Sequence, residues 1–467
     1  MIKLSLGRVK GLRDADAAKL SRLVDIFEYH QASNETKERY YSGHVPLSEV
    51  NLGIALPEEL GKLEIGCEWG CKTVDVLASR SMFDGFVSQS GTNPDVLTQI
   101  VDDNQLVAEY QKTCRDELKH GAVFATLSAD PDKKCKIRFH SELTSAATWD
   151  GEKGRVGYGM FILDTVADEE EEGKWIPSVV RMDTDTDVIV MRRNKGGVWG
   201  AEYMPHKMGR PLFEAMTWNA TSQKPFGRSR IKEPIRRLIQ GYVRTVANAT
   251  IGLEFATAPQ KYLLGVTDEQ YDAVVDTKFK QYVGNILAAT TNPETGANPV
   301  FGQLTQGSIE PHVSMLRLLA TQFSAATGLT VTDTGVVNDA NPTSSDAILA
   351  QSQTLVLMAE QLNAANGNAL KTIALMAQAI ARNVTLEELT DEEKSVVAHF
   401  KNPAMPSVSV TADAALKIAS VREGFAMTDT FLEMIGFGQA DIRRIRAQEQ
   451  RVRGTQTLEQ EFGNAST

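Results

Sequence analysis

At 467 residues, with 42% hydrophobic and 23% charged side chains, the chain carries apolar material for about two to four packed domains. That composition excludes disorder as its main state. Its 60 acidic residues outnumber 49 basic ones, and a net charge of −11 argues against a protein that grips DNA over a broad basic footprint.

The chain opens with Leu4, Ser5 and Leu6 ahead of Arg8 and Lys10, too short an apolar run for a secretory signal. Residues 14–31 follow with Ala17, Leu20, Leu23, Val24 and Phe27 at helical spacing. A loop is expected over Tyr40-Tyr41-Ser42-Gly43-His44-Val45-Pro46, then helices over 65–81 and 94–120. Cys67 and Cys71 lie one helical turn apart with no second pair beside them. The four cysteines of the chain therefore read as reduced core or surface thiols, neither disulfides nor zinc ligands.

From Ala122 the period changes to that of strands. Val123–Leu127, Lys136–His140, Tyr158–Leu163 and Val188–Met191 alternate or run apolar, with turn residues at Asp150-Gly151 and Asn194–Gly197, so 122–218 reads as a mainly antiparallel β module. Within it Asp168 to Glu172 is a run of five acids, expected as a solvated loop. Asp183-Thr184-Asp185-Thr186-Asp187 begins like a calcium loop but has Val188 where a Gly is needed and Asn194 where a Glu is needed. A hairpin with outward carboxylates is the expectation there.

Helical signals return near residue 229. A helix is expected over 231–257, with Pro234 tolerated only in its first turn. An insert, 259–307, contains a capping box at Thr267–Gln270 and a Gly/Pro/Asn-rich stretch to Gly307. A second helix is expected over 311–326. Charge-free stretches such as Leu318 to Thr332 reach 15 residues, short of the roughly 20 that span a bilayer. A polar loop, 328–343, leads to Ser344, an N-cap for a long helix over 345–382, with Gly367 a possible break. Capping boxes at Thr385/Glu388 and Thr390/Glu393, a strand at Ser407–Val410, helices over 412–435 and 438–452 and a polar tail complete the chain. No solenoid-period repeat is present.

Enzymatic signatures are missing. There is no GxxxxGK[ST] loop, no GxGxxG after a strand and no HExxH. Gly227-Arg228-Ser229 lacks the second Gly of a nucleophile elbow and reads as a turn and helix cap. The chain is expected to be no enzyme and to need no cofactor or metal. An alternative reading is a multidomain hydrolase in which His140 and Glu142, or Asp164 and Asp168, converge in the β module. A non-viral ring or scaffold protein is the other.

Four segments carry a resemblance to the portal proteins of tailed bacteriophages, the siphophage-type head-to-tail connector family. Tyr40-Tyr41-Ser42-Gly43-His44 resembles their amino-terminal arm. Phe226-Gly227-Arg228-Ser229-Arg230-Ile231 is similar to the Gly-x-Ser-x-Ile signature that opens the first stem helix, with Gly227, Ser229 and Ile231 as its fixed positions. Phe255 to Tyr262, containing Pro259, resembles the entry to the clip. Thr327-Gly328-Leu329 and then Asn341-Pro342-Thr343-Ser344-Ser345 resemble the passage through the tunnel loop into a long helix. One position departs from the pattern: many relatives carry Pro after the Thr-Gly, where this chain has Leu329.

The resemblance covers about 35–385 and implies an α+β fold, with an α/β wing, a two-helix stem, a small α/β clip and a helical crown. The implied boundaries are 1–225 for the wing, 226–258 for stem helix 1, 259–307 for the clip, 308–326 for stem helix 2, 327–385 for the tunnel loop and long wing helix, and 386–467 for the crown and tail. It implies a ring homo-oligomer, usually a dodecamer, at a capsid vertex of the virion, assembled in the host cytoplasm. Double-stranded DNA would pass through it without sequence specificity during packaging and ejection. The terminase packaging motor, the head–tail adaptor, and the major capsid and scaffolding proteins would be its partners, with no membrane involved.

Asn338, Asn341, Thr343 and Ser344 are the DNA-facing residues implied for the tunnel loop, with plain turn and cap chemistry as the competing account. Between Phe226 and Lys261 seven basic residues face two acids. Arg236, Arg237 and Arg244 are the stem cations that either face DNA or capsid protein or belong to a solvated face with ion pairs between subunits.

Overall fold

The computed structural model describes residues 2–452 except 3, 5, 47–63, 89–94, 131–133, 169–171, 258–260, 266–290, 292–295, 297, 299, 304–307, 337–344, 405–407, 423 and 439–440. It divides into a larger unit, Met1–His44, Glu68–Arg237 and Phe323–Thr467, and a smaller one, Val45–Cys67 and Leu238–Gln322.

Helix α1 spans Asp14–Tyr41, 28 residues and ten beyond the expected end, so Tyr40 and Tyr41 form its last turn instead of a loop. The polar stretch after Gln31 lacks an apolar stripe, yet nothing in it breaks a helix before Gly43, whose φ is +78°. Strands β1 (His44–Pro46) and β2 (Glu64–Gly66) pair. Helix α2 is Trp69–Ala78, shorter than expected. Strand β3 (Phe83–Ser88) was not anticipated. The expected helix over 94–120 is two, α3 (Asp95–Asp103) and α4 (Leu106–His120), broken at Gln105 with φ +51°.

The β module is antiparallel throughout. Strands β4 (Ala122–Asp130) and β5 (Lys134–Ser141) form one sheet with the later β11 (Phe213–Thr217), in the order β11-β4-β5. Strands β6 (Ser145–Asp150), β7 (Arg155–Ala167), β8 (Trp175–Asp183), β9 (Asp187–Arg193) and β10 (Trp199–Pro205) form a meander in sequence order. Leu20, Leu23 and Phe27 of α1 are buried with Met160, Met182, Ile189, Met191 and Trp199 of that sheet. Phe124, Phe161 and Phe213 meet edge to face at centroid separations of 5.1 to 6.2 Å and join the two sheets.

Helices α5 (Glu233–Thr257) and α6 (Glu310–Thr327) each run across the division between the units. Inside the smaller unit Gly241 of α5 lies against Leu319 of α6, leaving 3.2 Å between a would-be Cβ and the leucine methyl. Strands β12 (Lys261–Leu264) and β13 (Val300–Gln303) pair antiparallel, Lys261 opposite Gln303, so the insert leaves and returns through adjacent strands. The expected capping box at Thr267–Gln270 lies outside the described residues.

Helix α7 (Ser345–Arg382) is continuous for 38 residues, about 57 Å, through Gly367. Thr385 donates its N–H and Oγ1–H to the Glu388 carboxylate, but Glu388 N returns only to the Thr385 carbonyl and the segment closes a turn, not the expected capping box. Thr390 and Glu393 cap a true helix, α8 (Asp391–Lys394). Strand β14 (Val396–Phe400), also unanticipated, pairs antiparallel with β3, Val397 opposite Val87. Residues 408–410 are not the expected strand. They open α9 (Val408–Val421), because the two alternating β-branched residues Val408 and Val410 yield to the Ala-rich run behind them. Helix α10 (Asp429–Ile435) and a helix over 441–452 follow. The fold is α+β. Among the described residues no helix is long and apolar enough to cross a membrane, and the four cysteines are free thiols.

Candidate functional site

The segment Phe226–Ile231 lies across the end of α4, where the last carbonyls of a helix have no intrahelical donors. Arg230 N donates to Leu118 O at 2.9 Å, Ser229 Oγ donates to Lys119 O, and Trp218 N donates to Gly121 O at 2.9 Å. Ser229 Oγ also accepts from Ile231 N at 2.9 Å, so this hydroxyl clamps the end of α4 and closes a turn ahead of the next helix, which it does not cap. Arg228 N donates to Trp218 O at 2.9 Å. That close approach dictates Gly227: its φ is +71°, and a Cβ there would overlap the Trp218 carbonyl oxygen. Ile231 is buried two residues ahead of α5, and Phe226 packs edge to face on Phe124 at 5.5 Å.

The variable position inside this signature does the joining. Arg230 is 7% exposed, and its guanidinium reaches three other segments. Nε donates to Thr73 O of α2 at 2.7 Å, one terminal nitrogen to Thr327 O at the end of α6 at 2.8 Å, and the other to Met358 Sδ of α7 at 3.5 Å. The Trp218 ring lies 5.6 Å from it. Burial lowers its pKa to about 10, which leaves the side chain charged at neutral pH.

The segment that resembles the amino-terminal arm meets the same helix, α2. Gly70 admits the Tyr40 carbonyl where a side chain would collide with it. Trp69 stacks on Phe323 at 4.6 Å and donates Nε1–H to Thr334 O at 3.1 Å. Gly328, with φ +74°, ends α6 so close to α7 that a Cβ would come within 3.1 Å of Met358 Cε. Leu329, at the position of departure from the resembled pattern, is buried, and its carbonyl accepts Ser324 Oγ at 2.6 Å. The sequence flagged Gly227, Ser229 and Ile231 and passed over Arg230, because no local pattern shows two carbonyls and a thioether arriving from separate elements.

The expected DNA-facing residues fare differently. Asn338, Asn341, Thr343, Ser344 and Pro259 lie outside the described residues. Arg236 is half-buried, with its guanidinium 5.9 Å from the Tyr40 ring. Arg237 is exposed and paired with Glu233 at 3.0 Å. Arg244 is partly exposed in the smaller unit.

The residues of the hydrolase alternative each have separate partners. His140 is buried, meets Thr126 Oγ1 at 3.0 Å and is lowered to about 3 by burial and the Arg181 charge. Glu142 accepts from Asn34 at 3.3 Å. Asp164 accepts from Ser178 at 2.7 Å. The carboxylates of 183–187 also go separate ways, and the first and last, both buried, depart from expectation. Asp183 is buried on Arg181 at 2.6 Å instead of facing out, while Asp185 takes Lys153 and Asp187 takes Arg13. Among the described residues no group of three His, Cys, Asp or Glu side chains could hold a metal ion.

No protein-family model matches the chain, and no curated protein matches it. Solved structures do. A chain of the virion of a native gene transfer agent (GTA) particle is similar at TM-score 0.47 and 11% identity, covering 89% of this chain and 91% of that one. A chain of the neck of an empty GTA particle, computed with C6 symmetry, is similar at TM-score 0.46 and 11% identity over 82% and 95%. One from the neck of a native GTA particle, computed with C12 symmetry, gives 0.44 and 12% over 79% and 89%.

Proposed function

We propose that the chain is a non-catalytic, portal-type subunit of a ring at a capsid vertex of the virion, a channel for double-stranded DNA during packaging and ejection. In this reading 226–258 and 308–326 are the stem, 259–307 is the clip that meets the packaging motor and later the head–tail adaptor, 1–225 with 327–385 is the wing, and 386–467 is the crown. Capsid and scaffolding proteins surround the ring, which is a dodecamer.

The observation that carries this reading is the excursion in the smaller unit. Helix α5 leads out, β12 and β13 close the insert, and α6 leads back. This excursion leaves Leu253, Leu264, Val300, Met315 and Leu318 between 42% and 59% exposed. Apolar side chains spread along two helices and a strand pair call for further copies of the chain to cover them. The meeting of the Tyr40, Phe226–Ile231 and Thr327–Leu329 segments at α2 and Arg230 supports the same reading, since it gives these three a shared structural duty.

Electron microscopy of the purified chain with mass measurement in solution tests the proposal. A ring with a central hole wide enough for duplex DNA is expected, and a monomer persisting at high concentration counts against it. Deleting 338–343 is expected to preserve the ring and impair DNA translocation or retention. Normal packaging by that variant would remove the tunnel loop from the account.

A further inference from the structure

A cleft of about 580 Å³ in the larger unit is walled by α1 and by the chain from Lys224 to Arg236. Five basic side chains line it: Lys37, Lys224, Arg228, Lys232 and Arg236. One carboxyl shares it, Glu142, which burial pushes up to about 7, so it is only partly ionised at neutral pH. In a chain with an excess of acids, this is a concentration of unmatched positive charge.

The contacts these cations do make are to neutral groups. Lys37 donates to Asn34 Oδ1 at 2.8 Å and to the His120 carbonyl at 3.2 Å, and Arg236 stands over the Tyr40 ring. Among the described residues Lys224, Arg228 and Lys232 have no carboxylate partner for their side chains. The charges face one another. Burial lowers the pKa of Lys37, with Glu142 opposing and Arg236 adding to the effect, and Lys37 and Lys224 add to burial in lowering that of His30 on the cleft wall. The wall also holds an unused polar atom: the His120 ring is buried, its Nε2 meets Glu38 at 2.9 Å, and its Nδ1 has no partner among the described residues.

Cations held together in one concavity repel, and the repulsion is relieved by a ligand that brings several negative charges and many acceptor oxygens into a small volume. A carboxylate offers one charge on two oxygens. A phosphate group offers more of both, and the two guanidinium forks of Arg228 and Arg236 can each take one bidentately. We propose that this cleft binds a ligand with two or three clustered phosphate groups, either a free polyphosphate or the adjacent phosphodiesters of a nucleic-acid strand. The site belongs to one chain and does not rest on the ring reading.

Calorimetric titration of the full chain with sodium tripolyphosphate tests it. Saturable binding at one equivalent per chain is expected, weakening steeply as salt rises. The double variant Lys224→Glu with Lys232→Glu alters two exposed residues and is expected to lose at least about tenfold in affinity with an unchanged melting temperature. Lys195→Glu, at an exposed turn outside the cleft, is expected to bind as the parent does. Displacement by a short DNA duplex assigns the phosphates to a nucleic-acid strand, and failure of displacement assigns them to a free polyphosphate. Absence of saturable binding by the parent chain, or equal losses in the cleft and turn variants, overturns the proposal. Stronger displacement by a peptide of residues 166–174, whose five acids would come from a second copy of this chain, overturns it too.

Discussion

Two of the buried polar sites in the larger unit lie against α7, and they treat charge in opposite ways. At Arg230 the charge survives, because the carbonyls of Thr73 and Thr327 are fixed by the ends and turns of helices and point at the guanidinium. At Glu117, fully buried on α4, the one donor among the described residues that reaches the carboxyl is the Asn366 amide at 2.7 Å. The same amide gives its other hydrogen to Tyr110 Oη at 3.0 Å. Since Ser81 donates to Asn363, Tyr110 must donate to Ser81, and the relay runs away from Glu117. Glu117 Oε1 has no partner among the described residues, and burial pushes the group up to about 8. Backbone dipoles held by secondary structure keep a buried ion charged. A single shared side-chain amide does not.

The contrast can be broken most severely at the glycine that sets the Arg230 segment in place. Gly227→Ala puts a Cβ into the Trp218 carbonyl at a positive φ, and a loss of about 4 kcal/mol or more is expected in denaturant unfolding. A variant within 1 kcal/mol of the parent, on the order of an ordinary surface change, would show that the close approach relaxes. Next, Arg230→Met keeps the bulk and strips the donors, leaving buried carbonyls orphaned, with an expected cost of about 3–5 kcal/mol. Arg230→Lys, which lacks the planar fork, should recover only part of that.

At Glu117 the signature is a dependence on pH. The folded pKa lies above the ordinary glutamate value of 4.5, so between about 4.5 and 8 the folded state holds a proton that the unfolded chain has released. Its contribution is fully present below that window and declines as pH rises through it, at up to about 1.4 kcal/mol per pH unit. Glu117→Gln should flatten this decline, so the parent's stability relative to the variant falls from pH 5 to pH 8. Parallel profiles would mean the carboxyl is ionised in the fold. Smallest of all, Arg237→Ala removes an exposed pair one turn from its partner and should cost about 0.3–0.5 kcal/mol.

Legibility in the sequence followed the range of the forces involved. Helix α7 could be bounded at Ser345 and Arg382 because capping and periodicity are local. The antiparallel β module was readable from alternation and turn residues. Strands β3 and β14 were not, since five or six residues become a strand only when a partner some 300 positions away supplies the ladder. Among site residues, Gly227 announced a turn, which it is, whereas Ser229, expected to cap the following helix, closes the end of α4 instead. Arg230 and the cleft cations gave no such sign, because their meaning depends on which carbonyls, or which other charges, the fold brings beside them.

The pairing of β3 with β14 also imposes an order of events. At a synthesis rate of about 5–20 residues per second, Phe83–Ser88 waits on the order of 15–60 s for Val396–Phe400 to be made. During that interval a strand carrying Phe83, Phe86 and Val87 presents an open edge to any other chain nearby. Completion of the polypeptide is what retires that edge, so a ribosome stalled before residue 396 releases a molecule already inclined to aggregate.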